Sequence, residues 1–385
     1  MDEVSVYAAI GPRLTQYDLD IDAAALTERN SFELPVGMQY AWRHATKPFV
    51  YAACSDGGPG KSGTRHVACA LRMDATGALA LHGEPVVLQW RPVHLTTDRD
   101  SRHVLIAYPA PSGISVHRIR EDGTLGDTVP QEAFKLEKTA HQVMVTPSND
   151  RVILPVRGTS AENGRPEDPG ALHVFDYRDG RLTHRQMIAP NGGYGFGPRH
   201  VDFHPFKPWM YMSIERQNEV AFFELGKTVE GPKFRKTTLA RPDALKPRQL
   251  AGAIHVHPNG RFVYVSNRAD GTVDYEGRKV FNGAENTIAA YSIDGETGEP
   301  TLIQTEDTRG MHVRTFHIDP SGKILVAANM TTRTICAAEE IRSVPGGLSI
   351  FRIGDDGKLQ FVRKYDVDVS QANMFWMGMF TYPRG

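Results

Sequence analysis

The chain has 385 residues, of which 40% are hydrophobic and 23% are charged, and its formal net charge is −1 at pH 7. These proportions are ordinary for a globular protein, and the small net charge argues against broad electrostatic binding to nucleic acid or to an anionic membrane. There is no run of about 18 apolar residues, no signal-peptide pattern at the N-terminus and no framework of paired cysteines, so we predict a cytoplasmic protein without a membrane segment.

A strand–turn–strand pattern with a proline at the turn recurs along the chain. Its clearest copy is GPRHVDFHPFKPWMYMSIERQNEVAFFEL at residues 197–225, and further copies lie at residues 253–268 and 315–330. The strands are short and apolar, as in sheets that are buried on both faces. Equivalent turns are spaced by roughly 50 to 60 residues, which is typical of a four-stranded propeller blade with an enlarged loop.

In chain order, the pattern predicts six complete blades. They begin near Met38, His94, His141, Arg199, Gly252 and Met311. Each ends in a polar turn such as EDGTL, RDGRL or DDGKL, which suits a tight hairpin between the third and fourth strands. The chain ends supply a seventh blade, with its innermost strand at Ala372–Phe380. Its other strands are predicted at Val4–Ala9, Leu14–Asp20 and Leu26–Leu34.

The predicted fold is therefore all-β: a seven-bladed β-propeller of four-stranded blades, whose ring is closed by the N-terminal strands pairing with the C-terminal strand. Such closure leaves no long exposed sheet edge. We predict a single domain over residues 1–385, with the seventh blade shared between about residues 1–36 and 370–385. A ring of six blades is the nearest alternative. A pair of β-sandwich domains is a weaker one, because no Pro/Gly/Ser-rich linker separates two halves.

The loop between the second and third strands of a blade can lengthen without disturbing the ladder. Three such loops are long, at residues 157–170, 268–285 and 331–345, and a shorter one spans residues 55–64. Because strands alternate in direction, these loops emerge on the face where the innermost strands begin. Loops held by a rigid scaffold usually carry function, so we expect the binding site on this face.

Polar side chains cluster at the predicted starts of the innermost strands. They are His94, His141, Arg199, His200, His255, Arg314 and His317. The ends of the second strands add Glu215 and Arg268. Arginines in such a cluster would hold a carboxylate or phosphate, and His141, His200 or Glu215 would act as acid or base. The alternative is a water-filled channel whose polar lining has no chemical role.

The other motifs do not indicate a functional site. His204 and His257 precede the turn proline at the opposite end of the strand, as His44 does, and we interpret all three as turn-packing residues. No His-Glu-x-x-His or Cys-x-x-Cys pattern occurs, so no metal or other cofactor is predicted, although a site assembled from several blades would leave no local pattern. GGPGKSGT at residues 57–64 lacks the first glycine of a phosphate loop. GYGFGPRH at residues 193–200 leads into a strand, where a dinucleotide site needs a helix.

The Gly-Pro-Arg-His at residues 197–200, the His-Pro-Asn-Gly-Arg at residues 257–261 and the ring closure resemble the seven-bladed propeller lactonases. This family includes bacterial 6-phosphogluconolactonase and fungal 3-carboxy-cis,cis-muconate lactonizing enzyme. The resemblance implies metal-independent chemistry on lactones or muconates. By position, it also implies the catalytic residues His141, Arg199, Glu215 and Arg268. The chain departs from the family in its Ser-Ile-Glu at the end of a second strand, where Asn-Glu is usual, and in its longer loops.

We therefore expect a lactonase acting on a small anionic substrate. Arg199 and Arg268 would hold its anionic groups and polarise the lactone carbonyl, and His141 or Glu215 would take a proton from the attacking water. His94, His200, His255, Arg314 and His317 are the predicted substrate-binding residues. The alternatives are a muconate-type cycloisomerase, a metal-dependent lactonase or isomerase, and a non-catalytic propeller that binds a ligand or protein. We expect a monomer or small homo-oligomer that binds no nucleic acid.

Overall fold

The computed structural model describes residues 3–162, 164–337 and 340–382. The predicted segments 1–36, 157–170, 331–345 and 370–385 each include one to three residues outside this description. The chain divides into two compact units. The first contains residues 1–18, 28–199 and 380–385, and the second contains residues 19–27 and 200–379. Whether they form one domain, as the sequence predicts, stays a prediction.

The sheets of the first unit follow one another along the chain. The N-terminal strands are β1 (Glu3–Ile10), β2 (Arg13–Asp20) and β3 (Ala25–Glu33). The next sheet contains β4 (Met38–Arg43), β5 (Phe49–Ser55), β6 (His66–Met73) and β7 (Leu79–Leu81), with β8 (Val86–Val87) also paired to β6. The third sheet contains β9 (His94–Thr97), β10 (His103–Pro109), β11 (Ser112–Ile119) and β12 (Leu125–Thr128). The fourth contains β13 (Met144–Val145), β14 (Arg151–Val156), β15 (Ala171–Arg178) and β16 (Arg181–Ile188).

The second unit continues the same arrangement. Its first sheet contains β17 (Pro198–Phe203), whose first two residues belong to the first unit, with β18 (Trp209–Ile214), β19 (Glu219–Leu225) and β20 (Val229–Thr237). In the next, β21 (Leu250–Val256) and β22 (Phe262–Arg268) are followed by the hairpin β23 (Thr272–Tyr275) and β24 (Arg278–Phe281), then by β25 (Thr287–Ile293) and β26 (Pro300–Asp307). In the last, β27 (Met311–Ile318) and β28 (Ile324–Thr331) are followed by the hairpin β29 (Arg333–Ala337) and β30 (Glu340–Val344), then by β31 (Gly347–Ile353) and β32 (Leu359–Asp366).

The final strand, β33 (Met374–Tyr382), completes the N-terminal sheet in the order β3-β2-β1-β33. The described residues thus form seven blade sheets, six of four strands and one of four strands with the short β8 added, which confirms the predicted all-β, seven-bladed propeller and its closing blade. The polar turns lie between third and fourth strands, as predicted. The described residues include two short 3₁₀ helices, Pro190–Gly193 and Pro242–Ala244, and no helix of sufficient length and apolarity to cross a membrane.

The strands hold together through apolar side chains buried between neighbouring sheets. In the first unit, Tyr51 of one sheet packs with Leu95 and Ile106 of the next, and all three are fully buried. In the second unit, Tyr264 and Phe316 belong to a similar cluster. Burial of each such side chain contributes roughly 1.5–3 kcal/mol, so the core lies in the layers between the sheets.

Two predicted loops each contain a pair of antiparallel strands in the structure. Residues 268–285 contain β23 and β24, and residues 331–345 contain β29 and β30. The first hairpin turns at Glu276 and Gly277, whose φ angles of 50° and 77° match the two-residue turns that join antiparallel strands. The sequence analysis missed this Glu-Gly turn because it treated the whole segment as an insertion. Strands β24 and β29 pack side by side, next to the ends of β22 and β28 from which the insertions leave.

The turn histidines play the structural role predicted for them. The His204 Nδ1 accepts backbone N–H groups of its own turn, and its Nε2 lies 2.9 Å from the carbonyl oxygen of Gly260 in the next sheet. His257 repeats the arrangement, with its Nε2 2.8 Å from the carbonyl oxygen of Gly322. His44 also caps its own turn through Nδ1. Each ring satisfies backbone groups that would otherwise be costly to bury.

Candidate functional site

Two predicted residues of the second unit form a buried ion pair. Glu215 directly follows β18, and Arg268 is the last residue of β22. Their side chains are 1% and 6% exposed, and the Arg268 Nη2 donates to the Glu215 Oε1. Strand β21 brings them together, because Leu250 pairs with Arg268 and the Ala251 N–H donates to the carbonyl oxygen of Glu215 over 2.9 Å. The paired strand ends therefore fix the position of this charge pair.

His312 lies on the other side of Arg268. The Arg268 Nη1 lies 3.0 Å from the His312 Nε2, and because a guanidinium can only donate, this nitrogen is the acceptor. The proton of the neutral ring is therefore on Nδ1, which faces the Asp270 Oδ2 at 3.7 Å. Burial, and next the charge of Arg268, hold the pKa of His312 well below its usual value. A neutral imidazole thus accepts a hydrogen bond from Arg268 without placing a second positive charge beside it.

The backbone at His312 is unusual and is held in place. Its φ is 57°, in the left-handed region that histidine visits more readily than most residues. Its N–H donates to the side-chain oxygen of Asn286 over 2.7 Å. The same Asn286 oxygen accepts the N–H of Ala269, 2.9 Å away. One amide side chain therefore ties the strand that carries His312 to the segment that follows Arg268.

Asp270 links this pair to two further arginines. Its two oxygens accept from the Arg248 Nε and Nη2 over 2.5 and 3.0 Å, and the Arg333 Nη2 lies 3.6 Å from its Oδ2. Burial would raise the pKa of Asp270, but the hydrogen bonds of Arg248 and the charges around the carboxylate outweigh burial and lower it. The side chains of Arg248 and Arg333 are 63% and 33% exposed. The cluster therefore extends from a buried ion pair to accessible arginines.

Three predicted residues lie in the first unit. Arg199 is the second residue of β17 and is 1% exposed. His94 begins β9 and is fully buried, with its ring 3.9 Å from that of Tyr40. Burial, and next the charge of Arg199, hold the pKa of His94 well below its usual value. His141 lies just before β13, and its N–H donates to the carbonyl oxygen of Pro155 over 3.0 Å. The structure thus brings His94 within electrostatic range of Arg199.

The expected position of two histidines is wrong. His255 is the sixth residue of β21 and pairs with Tyr264, whereas the start of β21 pairs with Arg268. At about 3.3 Å per residue, His255 lies roughly 16 Å along the strand from that end. His317 is likewise near the end of β27, and the two rings are 4.6 Å apart. Strand β21 begins at Leu250, two residues before the predicted Gly252, and β27 begins at Met311 as predicted, so both histidines lie well inside their strands and not at the starts.

The last two predicted residues are within strands. His200 is the third residue of β17, and its N–H donates to the Ser213 Oγ over 3.3 Å. Arg314 is the fourth residue of β27, where its guanidinium carbon lies 3.7 Å from the centre of the Phe375 ring. This stacking leaves Arg314 only 8% exposed. The predicted substrate contacts of both residues stay predictions.

Sequence reasoning missed His312, Asp270, Arg248 and Arg333. A weak signal exists for two of them. Asp270 stands two residues after Arg268, and His312 stands two residues before Arg314, the spacing that puts side chains on one side of an extended chain. Within residues 3–162, 164–337 and 340–382, no group of three or more His, Cys, Asp or Glu side chains is arranged to hold a metal ion. Metal independence itself stays a prediction.

Comparison with known proteins agrees with the fold and the resemblance. Residues 4–341 match the family described as "Lactonase, 7-bladed beta-propeller". The chain is 28% identical over 258 residues to a 6-phosphogluconolactonase of Bacillus subtilis, covering 64% of this chain and 66%, just under two thirds, of the relative. It is 27% identical over 268 residues to a 6-phosphogluconolactonase of Erwinia tasmaniensis, covering 69% of this chain and 72% of that one.

Solved structures show the same fold at lower identity. A periplasmic gluconolactonase of Pseudomonas aeruginosa matches with a TM-score of 0.76 at 18% identity, over 99% of this chain and 100% of the other. A protein from Lactobacillus plantarum matches with a TM-score of 0.72 at 21% identity, over the same shares of the two chains. Likeness at these identities establishes the fold alone.

Proposed function

We propose that the chain, which belongs to the seven-bladed β-propeller lactonase family and is an enzyme of that class, hydrolyses a sugar lactone that carries an anionic group. One observation carries the proposal: the cation of Arg268 is buried between the Glu215 carboxylate and the His312 imidazole. Burying charged groups is costly, and such clusters are typical of sites that use the charge. The relatives named 6-phosphogluconolactonase support a phosphorylated sugar lactone as the substrate.

The cluster contains the two kinds of group that ester hydrolysis needs. Arg268 would donate to the lactone carbonyl oxygen and stabilise the negative charge that develops on it, an effect of about 10²- to 10³-fold in rate for one donor. The Glu215 carboxylate would take a proton from the water that attacks the carbonyl carbon. The ring C–O bond then breaks and the ring oxygen takes a proton. The product is a hydroxy acid, which ionises at neutral pH and releases one proton.

His312 would act as a positioning residue. Its Nε2 accepts from Arg268, and its backbone is held by Asn286. A side chain that is held by its neighbours loses little freedom when the substrate binds, so its charge is already oriented for the reaction. A neutral ring also avoids the repulsion that a second cation beside Arg268 would cause.

His141 and Arg199 of the first unit remain proposed catalytic residues, Arg199 as a carbonyl-polarising group and His141 as a proton acceptor. The sequence motif around Arg199 supports this assignment. His94, His200 and Arg314 remain proposed substrate-binding residues, whereas His255 and His317 do not, because they lie toward the opposite ends of their strands from Arg268. Full burial of His94 favours an indirect role for it, in which the ring supports Arg199 electrostatically.

A substrate panel tests the function. The purified protein is mixed with 6-phosphoglucono-1,5-lactone, glucono-1,5-lactone and muconolactone, and acid release above spontaneous hydrolysis is followed with a pH indicator, with and without chelator. We expect acid release from a sugar lactone that is lost in Glu215→Gln. If no lactone is opened, the binding-protein alternative holds. If only muconolactone is opened, by elimination to a muconate, the protein is a muconate-type cycloisomerase, and activity abolished by chelator shows that a metal takes part.

Three further expectations are carried forward as proposals: one domain over residues 1–385, a cytoplasmic location, and a monomer or small homo-oligomer. A single calorimetric unfolding transition would support one domain, and two separate transitions would contradict it. Cell fractionation of the native protein and light scattering of the purified protein decide the other two.

A further inference from the structure

Two accessible arginines meet at one carboxylate beside the proposed catalytic pair. Arg248, in the segment before β21, makes a two-pronged contact with Asp270, and Arg333, the first residue of β29, reaches the same carboxylate at 3.6 Å. The third group on Asp270 is the uncharged His312 ring. A single carboxylate therefore faces two guanidinium groups, which come from two separate segments of the chain.

This arrangement is connected directly to the proposed chemistry. His312 contacts Asp270 through Nδ1 and Arg268 through Nε2, so one imidazole ring separates the two arginine contacts from the carbonyl-polarising group. Exposure falls in the same direction, from 63% for Arg248 and 33% for Arg333 to 6% for Arg268. An anionic group held at the accessible end would leave the rest of a small substrate pointing toward the buried end.

We propose that Arg248 and Arg333 form the subsite for the phosphate or carboxylate group of the substrate, and thereby select charged lactones over neutral ones. This inference rests on the proposed function. The planar guanidinium group presents paired donors that match a phosphate or carboxylate. The Arg248 side chain is 63% exposed while Asp270 is only 12% exposed, so an anionic ligand can reach the guanidinium group from solvent and share it with Asp270.

The elements that carry these arginines fit such a role. Arg333 belongs to the hairpin β29–β30, which packs beside the hairpin β23–β24. Both hairpins are insertions into otherwise regular blades, and loops on a rigid scaffold are where specificity usually resides. Arg333 is also anchored, because its Nη1 donates to the Thr331 Oγ1 over 3.0 Å. Its guanidinium therefore has a defined position from which to bind a ligand.

The test compares substrates that differ in charge. Arg248→Gln, Arg333→Gln and the double variant are assayed with 6-phosphoglucono-1,5-lactone, with a glucarolactone that carries a carboxylate, and with neutral glucono-1,5-lactone. We expect KM for the preferred charged lactone to rise about tenfold to hundredfold in the double variant, the scale of lost hydrogen bonds to a charged group. We expect kcat/KM for the neutral lactone to fall much less than that for the charged lactone, so that the preference for charge is lost. The charged lactone that loses more identifies the anionic group.

Arg309→Gln is the matched control. Arg309 shares the left-handed backbone of Arg248, with φ angles of 58° and 63°, and its exposed side chain also pairs with an acidic residue. It lies outside the proposed site, and we expect no change in charge preference. Thermal unfolding of each variant verifies that it folds, and the single Arg333→Gln variant serves if the change at Arg248 impairs folding.

Binding of inorganic phosphate separates this inference from the proposed function. Isothermal titration calorimetry should show phosphate binding to the wild type that weakens at least about tenfold in the double variant. Unchanged phosphate affinity, or charged and neutral lactones losing activity in parallel, would overturn the subsite. If the protein opens no lactone at all, the proposed function fails, while the phosphate titration still decides whether the two arginines bind an anion.

Discussion

The Glu215–Arg268 pair allows stability and catalysis to be separated by experiment. Arg268→Met removes the cation while keeping an apolar stem of similar length. It leaves the Glu215 carboxylate, 1% exposed, without its buried counter-charge. Breaking a buried ion pair from one side costs about 3–5 kcal/mol, so we expect the unfolding temperature of this variant to fall clearly. Glu215→Gln should cost less, because the neutral amide oxygen still accepts a hydrogen bond from Arg268.

The double variant Arg268→Met/Glu215→Gln tests whether the ion pair contributes to catalysis and not to stability. Replacing both charges also removes the carboxylate that has lost the Arg268 cation, so the double variant should be more stable than Arg268→Met alone. Its activity should not recover. We expect kcat/KM to fall about 10²- to 10³-fold in Arg268→Met and the double variant to be no better, because the two groups act as a unit. Recovered stability without recovered activity would show that the charges are kept for chemistry.

Steady-state assays and thermal unfolding on the same preparations supply both measurements. Arg309→Met is the control for stability. Its pair with Glu306 is exposed on the arginine side, at 49%, and its loss should cost no more than about 1 kcal/mol. The reasoning is refuted if Arg268→Met keeps more than about a tenth of the wild-type kcat/KM, a loss far below that of an oxyanion donor.

Three further predictions follow. Arg199→Ala should lose at least about a hundredfold in kcat/KM by steady-state assay, and wild-type turnover would remove it from the mechanism. In His312→Gln the amide oxygen can still accept a hydrogen bond from Arg268 but cannot be protonated. A profile of kcat/KM against pH should therefore show a smaller fall in kcat/KM at acid pH than the wild type shows. Equal falls would contradict this. Because the folded protein lowers the pKa of His94, the unfolded chain takes up that proton first as the pH falls through about 6.5. Stability should therefore be full above this pH and decline below it, and unfolding temperatures measured across pH should decline less steeply in His94→Gln.

The fold was predictable because each blade repeats its own signals. Pro205 and Pro320 stand at equivalent turns, and short apolar strands surround them. The prediction that the C-terminal strand joins the N-terminal sheet is confirmed, since a lone strand and a set of three need each other for burial. The hairpin β23–β24 was missed because its Glu276-Gly277 turn needs two residues with positive φ. Asn-Gly and Asp-Gly are the usual sequence signals of such a turn, and Glu-Gly is not one of them.

The site was predictable only in part. Glu215 and Arg268 were found because the ends of second strands must face the ends of neighbouring strands, and the structure joins them. His312 was out of reach, since its contact with Arg268 depends on how β27 lies beside β22 and on a left-handed backbone at one residue. The start of β21 was placed too late, which moved His255 to the wrong end of its strand. The contact of His312 and the position of His255 both depend on the register between strands, which short motifs do not encode.

The histidines of this chain show why position within a blade, more than residue type, decides chemical role. The ring of His257 is fixed at the turn end of its strand, with one nitrogen accepting from its own turn and the other bound to the carbonyl oxygen of Gly322. Both contacts are to backbone groups, which neither gain nor lose protons near neutral pH. His312, near the opposite end of an equivalent strand, contacts the ionisable Asp270 and the cation of Arg268 instead. A change of charge on either partner is therefore felt by this ring, and through the ring by the other partner. The same side chain thus joins sheets at one end of the blades, and at the other end can couple an anion-binding surface to a reacting carbonyl.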